Sequence, residues 1–129
     1  MTKERVGTLA ASIGAGLLFS TATFHLSAYS AVVARAPTEL RPLLSAAWVA
    51  GGTSLLLSAL LAVAATPLFV VRRRALLGIA ALTPLSIAVL QIVYLGFIPP
   101  TALLLLDGAV LIAAGELGRA YQQRPNTTA

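Results

Sequence analysis

A single aspartate, Asp107, stands inside an otherwise apolar stretch, seven residues after Pro100 and nine before Glu116. In a helix that starts at the proline, a rise of 1.5 Å per residue puts its carboxyl ~10 Å beyond the helix start. A charge at such a depth in hydrocarbon costs on the order of 2.5–3.5 kcal/mol on insertion scales. The group therefore calls for a partner, a proton or a water-filled recess. Three other side chains fall at comparable depth when each apolar run is counted from the same end: Gln91, eight residues before Pro99; Tyr94, one turn from Gln91; and His25, ten residues before Arg35 and flanked by Thr21 and Tyr29. Asp107, His25, Gln91 and Tyr94 are the candidate polar cluster. It would serve as structural glue, as a proton-titrating site or as a socket for a small polar ligand.

Helical geometry sharpens the expectation for each carboxylate. At 100° per residue, Ala114 returns to about 20° from Asp107 and Gly118 lies similarly close, so Asp107 shares a face with small residues and is expected to point into a bundle. Glu116 is about 180° away. It stands near Arg119 at the end of its run, where a long side chain reaches the headgroups, and is read as interfacial. Trp48, six residues after Pro42, fits with Tyr29 and Tyr94 in an aromatic interfacial belt.

The alternatives for this chemistry are weak. His25 and Asp107 supply two ligands where zinc sites commonly take three or four from protein, and haem held by His25 would need a second ligand or an open position. No metal and no cofactor is expected. The absence of cysteine removes disulfides, thiolate sites and thiol redox chemistry. Gln91 and His25 each also have a structural role open to them, as an interhelical hydrogen bond or a satisfied buried group.

The elements that position these residues follow from composition. Of 129 residues, 58% are hydrophobic and 10% charged, with a mean hydropathy of +0.91, whereas a soluble domain carries about a quarter charged residues. Nine basic and four acidic side chains cannot coat a globule of this size. The net charge of +5 does not point to nucleic acid, because the basic residues sit at the ends of apolar runs instead of clustering on one face.

The expected architecture is an all-α membrane protein of a single integral domain: four transmembrane helices in an up-down antiparallel bundle with short loops. The spans are placed at about 6–33, 43–71, 75–98 and 101–118, followed by a polar tail at 119–129. About 20 apolar residues cross the hydrocarbon. The first run is roughly twice the length of a signal-peptide core and is read as a retained helix. Pro37 and Pro42 mark the first turn, Arg72-Arg73-Arg74 a tight charged connection, Pro84 a kink, and Pro99-Pro100 the last turn. Seven Lys and Arg (Lys3, Arg5, Arg72, Arg73, Arg74, Arg119 and Arg124) fall on one side, and two (Arg35 and Arg41) on the other. Positive charge concentrates in the cytoplasm, so both termini are expected inside, in a bacterial-type inner membrane. The Asn126-Thr127-Thr128 acceptor pattern then lies in the cytoplasm as well.

Helix contacts in lipid rest on small residues and a few polar groups. Candidate stripes are Ser12, Gly16 and Ser20; Ala47, Gly51, Ser54, Ser58, Ala62 and Ala65; Ala80, Pro84 and Ala88; and Gly108 with Gly115. Three functions compete. The first is a non-catalytic auxiliary or assembly subunit of a larger membrane complex, its partners being the bilayer, other transmembrane proteins or itself. The second is a small oligomeric transporter or channel using Asp107. The third is a membrane redox or lipid enzyme using His25, Tyr94 and Asp107. The lack of an acid–base–nucleophile set and of a soluble domain favours the first.

Overall fold

The structure is a computed structural model that describes the backbone of residues 3–67, 70–96 and 98–122. These residues form α1 (Lys3–Ser27), α2 (Tyr29–Arg35), a 3-10 turn (Thr38–Leu40), α3 (Arg41–Ala65), α4 (Val70–Leu95) and α5 (Pro99–Gln122). Four helices are long and apolar enough to cross a membrane, over Arg5–Ser27, Thr38–Ala65, Arg72–Val93 and Pro99–Leu117. Their outward faces carry bulky apolar side chains: Leu43 is 69% exposed, Val93 67%, and Leu57, Leu60 and Leu82 each 61%. A surface of that kind is stable against lipid and not against water.

Several boundaries differ from the sequence expectation, each for a local reason. The run expected at 6–33 is two helices, because the Trp48 indole Nε1 donates to the His25 carbonyl at 2.7 Å. That carbonyl is the one an unbroken helix would offer to the Tyr29 N–H, and Ala28 becomes a turn. The Ser27 hydroxyl, donating to the Phe24 carbonyl at 2.8 Å, competes with the backbone at the same place. Helix α3 closes at Ala65, ahead of a Thr66-Pro67 turn, and does not run on to residue 71.

The arginine triplet is not a connection. It lies in the opening turns of α4, where arginine is a good helix former and no Gly or Pro intervenes before Gly78. Pro84 sits inside an unbroken assignment of α4. Helix α5 starts two residues earlier than expected, at Pro99, and the positions 119–122 assigned to the tail are its last turn; the remaining tail lies outside the described residues. Between α4 and α5, Gly96 takes φ +75°, the left-handed conformation that ends a helix without a Cβ penalty.

The four long helices form a ring. Helices α1 and α4 each pack on both α3 and α5, and the α1–α4 and α3–α5 diagonals make at most marginal contact. The register is read from individual contacts. Against α3, His25 of α1 meets Trp48 and Tyr29, at the start of α2, meets Ser45. Between α4 and α5, Gln91 meets Thr101 and Arg74 meets Glu116. In each pair the residue numbers rise on one helix as they fall on the other.

The centre of the ring is filled by Leu18, Leu55, Leu77, Leu104 and Leu111, each at most 2% exposed, set among alanines. Helix α1 buries Gly7, Ala11, Gly14, Ala15, Leu18 and Ala22, a heptad-like spacing. The stripe expected to pack, Ser12, Gly16 and Ser20, faces outward instead. Similarly, α3 buries Gly52, Leu55, Ser58, Ala59, Ala62 and Ala65, leaving Ala47 and Ser54 exposed. All faces of these helices are apolar enough for lipid, so hydropathy does not choose the inward one, and two stripes of small residues compete for it. In α4, Ala80, Pro84 and Ala88 are buried, and in α5, Gly108 and Gly115.

Candidate functional site

The polar side chains gather at the end of the bundle where α1 passes into α2 and α4 turns into α5. Asp107, on the inner face of α5, is 2% exposed. Across the α1–α5 seam, Thr21 is the polar side chain beside its carboxyl. One carboxylate oxygen, Oδ2, is buried with no hydrogen-bonding partner among the described residues. An orphaned acceptor of this kind costs roughly 1–3 kcal/mol, more when charged. Gly108 beside it leaves room for a side chain of α4: a Cβ there would come within 2.5 Å of Leu85 Cγ.

His25 belongs to a different contact. Its ring stacks on the Trp48 indole with centroids 4.2 Å apart and planes 10° from parallel. Nε2 lies 3.2 Å from the Trp48 carbonyl. A carbonyl only accepts, so in the neutral ring the proton is on Nε2 and Nδ1 keeps a free lone pair. The Gly51-Gly52 pair gives this ring its room. A Cβ on Gly51 would stand 3.4 Å from Nε2, and one on Gly52 would collide with Leu26. Trp48 and Tyr29, expected as belt residues, thus tie α1 and α2 to α3, the Tyr29 hydroxyl donating to Ser45 Oγ at 3.1 Å.

Gln91 is anchored by a residue that sequence reasoning missed. Thr101, 0% exposed, accepts the Ile98 N–H on its hydroxyl oxygen at 3.4 Å and donates its proton to Gln91 Oε1 at 2.8 Å. Ile98 is the residue before the first turn of α5, and Thr101 is in its third position. The bond back to the Ile98 N–H is the reciprocal half of a capping box, with Thr in place of Glu. Because the hydroxyl spends its proton on Oε1, the carboxamide nitrogen of Gln91 is turned away and has no acceptor among the described residues.

Thr21, His25, Trp48 and Gln91 line one partly enclosed cavity of about 260 Å³, completed by apolar residues of α5 including Pro100 and Leu104. Of the expected cluster, His25 and Gln91 are brought together on this wall, and Asp107 stands behind it through Thr21. Direct hydrogen bonds among His25, Gln91 and Asp107 are not present: His25 bonds to α3 and Gln91 to α5. Tyr94 is in α4, and its side chain lies outside the described residues. No group of three His, Cys, Asp or Glu able to hold a metal occurs among the described residues.

A second polar locus occupies the opposite end. Arg74 and Glu116, half exposed, form an ion pair of 2.6 Å between α4 and α5, so Glu116 has a partner on the neighbouring helix. Arg72 is exposed, while Arg73 is only 6% exposed, with Nε and Nη1 buried and unbonded among the described residues. Its burial was not legible, since three successive arginines differ only in helical phase. Comparisons with protein-family models, with curated proteins and with solved structures return no match for this chain.

Proposed function

We propose that this chain is a non-catalytic integral membrane protein, an auxiliary or assembly subunit that packs against the transmembrane helices of a larger complex. The observation that carries the proposal is the outward stripe of α1. Ser12, Gly16 and Ser20, four residues apart, take no part in the chain's own core, and a Cβ on Gly16 would meet nothing within 4 Å. Ser12 and Gly16 line a groove of about 330 Å³ against α3. Small residues at this spacing let a second helix approach closely, and close packing is what drives helix association in lipid.

The contacts whose numbers run oppositely along paired helices support an up-down antiparallel course. The distribution of Lys and Arg supports both termini in the cytoplasm; a bacterial-type inner membrane is part of the same proposal.

A transporter or channel built on Asp107 is the second reading, favoured by the unpartnered Oδ2. Against a path within one copy stand the five leucines that fill the axis; such a path would need further copies.

The test uses photo-crosslinkers at Ser12 and Ser20, and at Leu82 on the lipid face of α4, in native membranes. The proposal expects one stoichiometric partner protein captured from α1, none from Leu82, and loss of capture in Gly16→Leu. Crosslinks to lipid alone reject it, and crosslinks only to a second copy of the chain favour the oligomeric transporter.

A further inference from the structure

The cavity has a neighbour. Gln91 lines both the 260 Å³ cavity and an open groove of about 730 Å³ between α3 and α4, whose other walls, among them Pro37, Leu40, Leu43, Ile87 and Leu90, are apolar. The groove opens on the outer face of the bundle, where Leu43 is 69% exposed. A partly enclosed, partly polar cavity thus adjoins an apolar groove, with one carboxamide shared between them. Among the described residues, no charged side chain other than the titratable His25 lines either space.

From this arrangement we propose that the cavity and groove together bind a neutral lipid with an oxygen-bearing ring as its head and a long apolar chain as its tail, the chemistry of an alkylated quinone or quinol. The cavity, at about 260 Å³, falls just under the span of whole-ligand pockets, about 300–1,000 Å³, which fits a site that takes the ring head while the chain lies outside it. Its walls offer the two polar functions such a head requires. The Gln91 nitrogen, freed by the bond from Thr101 to Oε1, donates to a ring carbonyl. His25, held with its proton on Nε2 by the Trp48 carbonyl, offers Nδ1 as acceptor to a ring hydroxyl. Phe24, Trp48 and Leu104 supply apolar walls around the ring. The chain leaves past Gln91 along the groove, where hydrocarbon is already the solvent. An uncharged head suits the site because a charged one would be buried without a counter-ion. The assignment does not depend on whether α1 docks a partner helix.

Trp48 is the only tryptophan in the sequence and lines the cavity, so its fluorescence reports occupancy directly. The full chain in lipid nanodiscs is titrated with decyl-benzoquinone, and in parallel with dodecylbenzene, which has the tail but no oxygen. Saturable quenching near one quinone per chain is expected, with no saturable response to dodecylbenzene. Gln91→Leu is expected to weaken the quinone midpoint at least tenfold. Ala28→Met, which narrows the cavity from the α1–α2 junction without entering the leucine core, is expected to do the same. Glu116→Gln, at the other end of the bundle, should titrate like the parent. Circular dichroism establishes which variants keep their helices, and if Gln91→Leu does not, Ala28→Met decides. Quenching that rises without saturation, as from quinone merely dissolved in the bilayer, overturns the proposal. So does saturable quenching that a folded Gln91→Leu or Ala28→Met leaves unchanged.

Discussion

At the scale of single residues, the protein settles its buried polar groups in pairs across helix seams. Asp107 shows what that leaves over: a carboxyl beside Thr21 with one oxygen, Oδ2, unpartnered among the described residues. Asp107→Asn keeps a polar group beside Thr21 and removes the charge. Its unfolding free energy in detergent is expected to stay within about 1 kcal/mol of the parent. Asp107→Leu loses the polar contact and forces a larger side chain into a site that is 2% exposed beside Gly108. Overpacking of this kind typically costs ~1–3 kcal/mol, and the same titration of helicity against denaturant should show it. Equal stability of the two variants would mean that the Thr21 contact contributes nothing. The importance of Asp107 was legible in the sequence, because a lone carboxylate within an apolar run needs an explanation whatever surrounds it. Its neighbour across the seam was not, because a threonine on an apolar helix carries no signal that says whether its hydroxyl turns toward a seam or toward its own backbone. Thr101 was hidden for the same reason, its role depending on a turn geometry set by two prolines and Gly96.

At the scale of elements, glycines separate the seams from the outer faces. A Cβ at Gly108 would strike Leu85 Cγ at 2.5 Å, one at Gly14 would meet Leu111 Cδ2 at 2.8 Å, and one at Gly16 would meet nothing. Substitution by alanine otherwise favours a helix by about 1 kcal/mol. Three thermal melts therefore order themselves: Gly16→Ala at or above the parent, Gly14→Ala close to it because a flexible leucine tip can yield, and Gly108→Ala lowest. If Gly108→Ala melts with Gly16→Ala, the α4–α5 approach is looser than described. The existence of four spans was readable from run length and the prolines, since about 20 apolar residues admit few other structures. Which face of each span turns inward was not. Ala11, Ala15 and Ala22 compete with Ser12, Gly16 and Ser20 on equal terms of size, and only the simultaneous fit to α3 and α5 selects the alanines. The break at Ala28 was equally out of reach, since its cause is a tryptophan on another helix.

At the scale of the whole molecule, the proposed placement of both termini on the cytoplasmic side is open to a direct check. The chain has no cysteine, so single cysteines report cleanly. In right-side-out vesicles a membrane-impermeant maleimide is expected to label a cysteine at Thr38, while one at Thr2 or Thr128 reacts only after the membrane is opened. The reverse pattern would invert the topology, and with it the side from which the polar end is approached. The ring arrangement has a consequence of its own. Four rods joined edge to edge without a cross-brace form a linkage that can lean, lengthening one diagonal while shortening the other, at little cost to the edges. Among the described residues the struts across the middle are leucine side chains, and one of them, Leu104, is also a wall of the cavity. A wedge pressed against any one edge is therefore felt as a change of width at the opposite corner, and the cavity shares a wall with the struts that would transmit it.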